Sequence, residues 1–81
     1  MYTVYVLHST TYEKIYIGYT SDLRKRMLSH NHLSHKGWTR KYRPWRLIHQ
    51  EEYDSKRSAM QRERELKGAK GREWIRLTLL T

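Results

Sequence analysis

The stretch that most constrains the fold runs through residues 15–32, where a strand pattern changes into a helix pattern. Two isoleucines, Ile15 and Ile17, alternate with a tyrosine and a glycine, which is the period of a half-buried β-strand. Gly18, near the end of this strand, permits another group to approach the backbone closely. The chain is therefore predicted to be organised around a strand that passes through a glycine turn directly into a helix.

The helix after this turn is predicted over residues 22–32, with Ser21 as its N-cap. With Leu23 at the centre of the apolar face, His30 falls about 20° from it and Arg26 about 60° away, at the edge of that face. One interpretation is a core histidine beside an arginine whose stem covers apolar surface. The other is a functional site, and helix geometry alone leaves both open.

The remaining segments predict an α+β fold in the order ββαβαα, with a small three-stranded antiparallel sheet flanked by helices. Residues 2–7 and 15–19 form an antiparallel hairpin, which allows Tyr5 and Tyr16 to meet on one face. Residues 44–53 form the third strand, and its alternation places three side chains on one face, those of Trp45, Leu47 and His49.

Two helices complete the predicted fold. Ser55 caps the first, over residues 56–67, and a glycine ends it. A turn at residues 68–71 leads into the last helix, over residues 72–80. Three apolar residues of that last helix are expected to close the core: Trp74, Leu77 and Ile75.

Glu63 is the second informative residue of the chain. It falls inside the apolar stripe of its helix, about 40° from Ala59 and on the side opposite to Leu66. An inward carboxylate is costly unless it is paired or bound to a metal. The alternatives are a salt bridge with a basic neighbour such as Arg26 or Arg62, or a metal site.

The charge of the chain indicates a polyanionic partner. Seventeen Lys and Arg oppose eight Asp and Glu, which gives a net charge of +9 and a pI of about 10.1. Residues 23–50 contain eight of these cations and no acidic residue. Cations interleaved with Trp38, Tyr42 and Trp45 are typical of nucleic-acid binding. An anionic membrane is less favoured because no large apolar helix face is evident, and a solvated basic surface without a specific partner is the other alternative.

Residues 32–43 are polar, basic and irregular, and predict a binding loop. Trp38 either stacks on a base or packs in the core. The histidines at 30, 32 and 35 lack the cysteine, carboxylate and spacing of a zinc site, so zinc is disfavoured. The candidate phosphate contacts on or beside this loop are Lys25, Lys36, Arg40, Lys41 and Arg43.

The length of 81 residues suffices for one domain with a modest core, so residues 1–81 are treated as a single domain. The chain contains no cysteine, which excludes a disulfide framework and a thiolate metal site. Neither a signal-peptide pattern nor a long apolar run is present. We therefore expect a soluble cytoplasmic protein with no membrane association.

Residues 16–18, read as Tyr-Ile-Gly, preceded by Val-Tyr at 4–5 and followed by Arg26 and His30, resemble the GIY-YIG nuclease superfamily. The chain is most similar to its small single-domain bacterial members, which are related to the N-terminal nuclease domain of the repair protein UvrC. The resemblance covers nearly the whole chain, including residues 39–41, 44–45 and 59–67. It implies a metal-dependent endonuclease that hydrolyses DNA phosphodiester bonds, in repair or recombination, with a single Mg²⁺ or Mn²⁺ ion.

By this resemblance, the catalytic groups are the two motif tyrosines, the helix arginine and histidine, and the glutamate: Tyr5, Tyr16, Arg26, His30 and Glu63, with Glu63 as the metal ligand. Two positions depart from the family pattern. Thr3 replaces the first motif glycine, and Tyr19 stands where repair-type nuclease domains have a lysine. Because that lysine could lower the pKa of a tyrosine, its loss bears on rate more than on fold.

The alternative function is a noncatalytic nucleic-acid-binding module that retains the nuclease fold. A third is a basic structural protein bound to RNA, in which Glu63 is only salt-bridged. DNA is favoured over RNA as the partner. Because family members usually gain target choice from attached domains, a protein partner that supplies specificity is also expected.

Overall fold

A computed structural model describes residues 1–33 and 38–80. The strands are β1 (Tyr2–Ser9), β2 (Lys14–Thr20) and β3 (Arg46–Tyr53), and the helices are α1 (Leu23–Leu28), α2 (Trp38–Lys41), α3 (Lys56–Lys67) and α4 (Ala69–Trp74). Helices α1 and α4 continue into π-helical turns, Ser29–Leu33 and Ile75–Leu79. The sheet is antiparallel in the order β2-β1-β3, which confirms the predicted α+β architecture. No helix among the described residues is long and apolar enough to cross a bilayer.

The central strand β1 is buried on both faces, and its side chains alternate between two cores. Val4 and Val6 pack with Ile17 against α3 and the C-terminal turn. Tyr5 and Leu7 face the opposite side, toward α1 and Trp45. Because period-2 alternation sends neighbouring residues to opposite faces, the sheet becomes the middle of three layers.

The hairpin register explains why the two motif tyrosines meet. Tyr5 lies opposite Gly18, and Leu7 lies opposite Tyr16. Tyr5 and Tyr16 are therefore diagonal neighbours on one face, within reach of aromatic side chains. Their ring centroids are 6.1 Å apart, so the predicted meeting is confirmed.

The alternation predicted for β3 is wrong at His49. The pairing of β1 with β3 shifts between His49 and Leu47, so Ile48 is the extra residue of a β-bulge. Leu47 packs with Trp45 on the α1 side. His49 instead lies on the other face, with its ring centroid 5.2 Å from that of Trp74. A bulge adds one residue to one strand only, which a strict period of 2 cannot anticipate.

Helix α3 has its predicted bounds, and Ser55 caps it by accepting a hydrogen bond from the backbone N–H of Ser58 at 3.1 Å. The predicted cap of the first helix is wrong by one residue. Asp22, rather than Ser21, accepts a hydrogen bond from the backbone N–H of Lys25 at 3.1 Å. A carboxylate at this position also complements the positive end of the helix dipole.

The turn predicted at residues 68–71 is instead the beginning of α4. The backbone N–H of Arg72 donates to the Gly68 carbonyl oxygen at 3.0 Å. At Gly71, a Cβ would lie 2.3 Å from the Glu65 carbonyl oxygen and 2.5 Å from the Leu66 Cα. Helices α3 and α4 therefore pack backbone against backbone at Gly71. Residues 69–71 are helical and do not form the predicted turn.

The C-terminal turn closes the core that contains Val4. Ile75 is fully buried and Trp74 packs beside it, as predicted. Leu77 was expected in the core but is 64% exposed, so that prediction is wrong. The π-helical turn changes the phase of the chain after Ile75, so Leu79 and Leu80 reach the core in place of Leu77.

Residues 38–41, predicted as part of a loop, form the short helix α2. The buried Trp45 holds it in place, because its indole N–H donates to the Thr39 carbonyl oxygen at 2.7 Å. The prediction of a loop is wrong for this part, and residues 34–37 lie outside the described residues.

Candidate active site

An open, mainly polar cleft of about 420 Å³ lies where β2, the start of α1 and the middle of α3 come together. Its lining includes three of the predicted catalytic residues, Tyr16, Arg26 and Glu63. Gly18 and Lys56 also line it. Strand β2 is an edge strand, so α3 can bring Glu63 to the edge where Tyr16 and Arg26 lie.

Tyr5 and His30 lie behind the wall of this cleft. Tyr5 is fully buried and His30 is 5% exposed, and the Tyr5 Oη and His30 Nε2 atoms are 3.0 Å apart. The ring centroid of Tyr16 is 4.7 Å from that of His30. We call Tyr5, Tyr16 and His30 the ring cluster, of which Tyr16 is the member that lines the cleft.

Gly18 makes the ring cluster possible. A Cβ at this position would lie 2.7 Å from the Tyr5 Oη and 3.0 Å from Cε1 of Tyr16. Real Cβ atoms do not approach other atoms this closely, so any side chain here would displace a tyrosine. The predicted close approach to the Gly18 backbone is confirmed, and the approaching group is the Tyr5 hydroxyl.

Burial determines the protonation states of Tyr5 and His30, the two buried members of the ring cluster. Burial, aided by the nearby Arg26 charge, lowers the pKa of His30 to about 4, so its imidazole is neutral at pH 7. Burial and the neighbouring Tyr16 raise the pKa of Tyr5 well above its usual value. Tyr5 therefore keeps its proton, and the pair forms a neutral hydrogen bond.

Glu63 is held by a cation from its own helix. Its side chain is 17% exposed, and its Oε1 lies 3.5 Å from the Lys67 Nζ, one turn further along α3. Among the residues that the structure describes, neither Arg26 nor Arg62 pairs with it. The predicted salt bridge with a basic neighbour is present, and that neighbour is Lys67 of the same helix, since an i,i+4 pair brings the two side chains together.

The donor set of the cleft fits magnesium or manganese. No cluster of three or more His, Asp or Glu side chains able to hold a metal exists within residues 1–33 and 38–80. Mg²⁺ needs no such cluster, because it keeps several waters and is bound through one or two carboxylates and substrate phosphates. Glu63, facing a polar cleft, meets that requirement. The zinc alternative gains no support, since Nε2 of His30 is engaged by Tyr5, and the side chains of His32 and His35 lie outside the described set.

Residues 1–76 match the family model of the GIY-YIG catalytic domain. The chain belongs to the GIY-YIG family. This is a family of nucleases, and the match confirms the resemblance carried by the Tyr-Ile-Gly motif.

Relatives with names of the UPF0213 group are similar to most of this GIY-YIG chain. The protein of Natronomonas pharaonis is 44% identical over 64 residues, covering 79% of this chain and 74% of that protein. The protein of Halobacterium salinarum is 41% identical over 69 residues, covering 83% of this chain and 86% of that protein. The protein of Bacillus velezensis is 47% identical over 49 residues, and the match spans only 50% of that relative.

A solved structure supports the same assignment. The solution NMR structure of the UPF0213 protein of Bacillus halodurans superposes with a TM-score of 0.56 at 30% sequence identity. The match covers 98% of this chain and 87% of the other. The GIY-YIG fold is therefore shared over essentially the whole chain.

Sequence reasoning missed Glu51, which fixes the helix that carries the GIY-YIG glutamate. Glu51 accepts two hydrogen bonds from Arg62, at 2.9 and 3.1 Å, and one from the Tyr53 hydroxyl at 2.5 Å. The His49 Nε2 lies 2.6 Å from its other oxygen. Although burial acts in the opposite direction, these hydrogen bonds lower the pKa of Glu51 to about 2.

We call Glu51, Arg62, His49 and Tyr53 the charged network. It ties β3 to α3 at the residue that precedes Glu63. The signal that could have revealed it is the spacing of His49, Glu51 and Tyr53, three polar residues at period 2 on one face of a strand.

Arg43, predicted to contact phosphate, has a structural role in this GIY-YIG domain. Its Nε donates to the His30 carbonyl oxygen at 2.8 Å, and a terminal nitrogen donates to that of Ser29 at 3.5 Å. It thereby supports the π-helical turn that carries His30. Asn31 adds to this support by accepting from the backbone N–H of Trp45 at 2.7 Å.

The other predicted nucleic-acid contacts are dispersed. Lys25 lines a cleft beside Arg26. Arg40 is exposed on α2, and the Lys41 Nζ lies 5.5 Å from the Tyr42 ring centroid. The side chains of Lys36 and Trp38 lie outside the described residues.

Proposed function

We propose that this chain is a metal-dependent endonuclease that hydrolyses phosphodiester bonds of DNA in the cleft beside Gly18. The observation that carries the proposal is the convergence of Tyr16, Arg26 and Glu63 on one open polar cleft. Membership of a nuclease family and a net charge of +9 support it. A role in repair or recombination, and a protein partner that supplies target choice, remain predictions.

Arg26 is the group that binds the reacting phosphate. It is exposed within the cleft, carries a permanent charge and can donate two parallel hydrogen bonds to non-bridging oxygens. Lys56, on the same lining, adds a second positive charge. Together they stabilise the negative charge that develops on the phosphoryl oxygens.

Tyr16 is the group that accepts the proton of the attacking water. It lines the cleft, whereas Tyr5 is fully buried and its pKa is raised by that burial. The Tyr16 phenol would act as the base in the same cleft as the permanent positive charge of Arg26. Tyr5 and the neutral His30 orient the Tyr16 ring from behind.

Glu63 is the residue that would hold a single Mg²⁺ or Mn²⁺ ion. When bound, the ion supplies Lewis-acid stabilisation of the leaving oxygen. Before binding, the carboxylate is paired with Lys67, so this lysine competes with the ion for the same oxygen.

A noncatalytic DNA-binding module is the second candidate. Tyr19 favours it, because this tyrosine lines the cleft where repair-type nuclease domains have a lysine. The Lys67 partner of Glu63 also fits a third candidate, a basic RNA-binding structural protein in which the carboxylate is only salt-bridged.

Cleavage assays with Mg²⁺ or Mn²⁺ test the proposal. The substrates are plasmid, single-stranded, flapped and branched DNA, together with RNA. We expect Glu63→Ala and Arg26→Ala each to lower the cleavage rate by about 100-fold or more, while DNA binding by Glu63→Ala persists. Glu65→Ala is the matched control, since Glu65 is on the same helix with a side chain that is 54% exposed.

One outcome of these assays rejects the nuclease. If wild type binds DNA but cleaves no substrate of the panel with either metal, the noncatalytic DNA-binding module becomes the assigned function. RNA cleavage without DNA cleavage would keep the chemistry and change the substrate.

A further inference from the structure

The active-site cleft shares lining residues with a neighbouring cleft on each side of it. A cleft of about 540 Å³ adjoins it on the α1 side, shares Arg26 with it and is lined by Lys25. A cleft of about 400 Å³ adjoins it on the hairpin side and shares Tyr16 with it. Because β2 is an edge strand, no further strand of the described sheet covers this line of clefts.

Three cations gather in the cleft on the hairpin side, which we call the flanking pocket: Lys14, Lys67 and Arg72. They come from β2, the end of α3 and α4, so only the tertiary structure brings them together. Glu13 also lines this pocket, but its side chain is 79% exposed and its carboxylate lies 3.3 Å from the His8 Nε2.

The cations of the flanking pocket are positioned by the fold. The Arg72 Nε donates to the Lys67 carbonyl oxygen at 3.0 Å, which fixes the guanidinium at the end of α3. The remaining N–H groups of Arg72 have no partner within residues 1–33 and 38–80. The Lys67 side chain is 46% exposed and reaches toward Glu63. The Lys14 Nζ lies 5.5 Å from the ring centroid of Tyr42, which does not itself line the pocket.

Three cationic side chains in one lining attract a polyanion, whose phosphates can neutralise them. The flanking pocket and the active cleft both have Tyr16 in their linings, so a strand with one phosphate on Arg26 would have the flanking pocket next to it. Arg40 and Lys41, which the sequence had suggested, line neither this pocket nor the active cleft.

We propose that Lys14, Lys67 and Arg72 form a phosphate-binding subsite, which holds the DNA strand on the hairpin side of the scissile phosphate. The location of the scissile phosphate rests on the proposed function. Binding of a DNA phosphate in the flanking pocket does not require that the chain cleave it.

The test is DNA binding by fluorescence anisotropy, without divalent metal, on a fluorescein-labelled duplex of about 20 base pairs. The double variant Lys14→Gln/Arg72→Gln removes two cations of the flanking pocket. We leave Lys67 unchanged because it also pairs with Glu63. The matched control is Arg57→Gln/Arg64→Gln, which removes two exposed charges of α3 that line neither this pocket nor the active cleft.

We expect the pocket variant to bind roughly tenfold more weakly at about 0.1 M salt and the control to stay near wild type. The slope of log K against log salt should fall by about 0.9 for each lost phosphate contact. Equal affinity and equal slope for the two double variants would overturn the subsite, as would no DNA binding by wild type. Thermal melting of both variants verifies that they are folded.

The failure of this inference is distinguishable from the failure of the nuclease proposal. Cleavage that depends on Glu63 and Arg26, combined with a pocket variant that binds and cleaves like the control, rejects the subsite alone. Absence of cleavage by wild type, combined with weakened binding by the pocket variant, rejects the nuclease and retains the subsite.

Discussion

The ring cluster and the charged network lie on opposite faces of the same sheet and stabilise the site by different physics. The ring cluster is neutral, holds the cleft tyrosine and depends on burial and a glycine. The charged network is centred on the Glu51–Arg62 ion pair, which holds the helix that carries Glu63. The comparison shows that one small domain fixes two candidate catalytic residues by packing on one face and by ion pairing on the other.

Breaking the charged network has the largest expected effect on stability. Arg62→Met leaves Glu51, a carboxylate with a side chain that is 21% exposed, without its bidentate partner. We expect a loss of about 3 kcal/mol in the free energy of unfolding, measured by urea denaturation. Arg64→Met, an exposed change on the same helix, is the control. Equal midpoints for the two variants would show that the pair contributes nothing.

The two regions should lose stability on acidification in different pH ranges. His30 has a pKa of about 4 in the folded chain against 6.5 unfolded, so the unfolded state takes up a proton first and stability falls as the pH drops from about 6.5 to about 4. Glu51 has a pKa of about 2 against 4.5 unfolded, so its contribution is complete above 4.5 and is lost toward pH 2. Over its own pH range, the titration of each group lowers the free energy of unfolding by about 2 kcal/mol, after allowance for solvent screening.

Unfolding measured at pH 7, 5 and 3 separates these contributions. His30→Gln should flatten the upper range, and Glu51→Gln should flatten the lower range. Glu52→Gln, an exposed neighbour in β3, serves as the control and should follow wild type. The assignment is contradicted if Glu51→Gln changes only the range above pH 5.

Disturbing the ring cluster should affect activity more than stability. In Gly18→Ala the new methyl group meets the Tyr5 hydroxyl at 2.7 Å, so a tyrosine must move. We expect a loss of about 2 kcal/mol in stability and of about 100-fold in cleavage rate. In the control Gly68→Ala, the nearest atom to the new methyl group is 3.5 Å away, and the rate should stay near wild type.

The smallest expected effect on stability is at Lys67. Its pair with Glu63 is partly exposed, so Lys67→Met should change the free energy of unfolding by less than about 0.5 kcal/mol. Removing the competing cation should raise Mn²⁺ affinity about threefold, measured by calorimetry without DNA. Lys70→Met, an exposed change in α4, is the control. Unchanged affinity in Lys67→Met would show that the lysine does not compete with the ion.

The features predicted correctly are those with a local signal. Period and capping gave the bounds of α3, and alternation paired Tyr5 with Tyr16. The helical wheel placed His30 and Glu63 inward, and both are largely shielded from solvent. The helix features depend on residues within a few positions along the chain, where backbone geometry fixes direction, and the tyrosine pair depends only on a hairpin between strands that follow one another.

The features that were wrong depend on contacts between distant segments. The bulge at Ile48 moves His49 to the other face. The contact of Gly71 with α3 replaces a predicted turn, and the π-helical turn exposes Leu77. Periodicity assumes an unbroken element, so it fails where tertiary packing inserts a residue or changes the helical pitch.

The sequence by itself determined the family, the α+β order and the identity of the candidate catalytic residues, because motif, period and charge are properties of the chain read in one dimension. Only the tertiary structure decided that Lys67 pairs with Glu63, that Glu51 anchors α3, and that Lys14, Lys67 and Arg72 share one pocket. The partners in these contacts lie on different elements or different turns. The distances between them depend on how the helices pack against the sheet, which one-dimensional patterns do not encode.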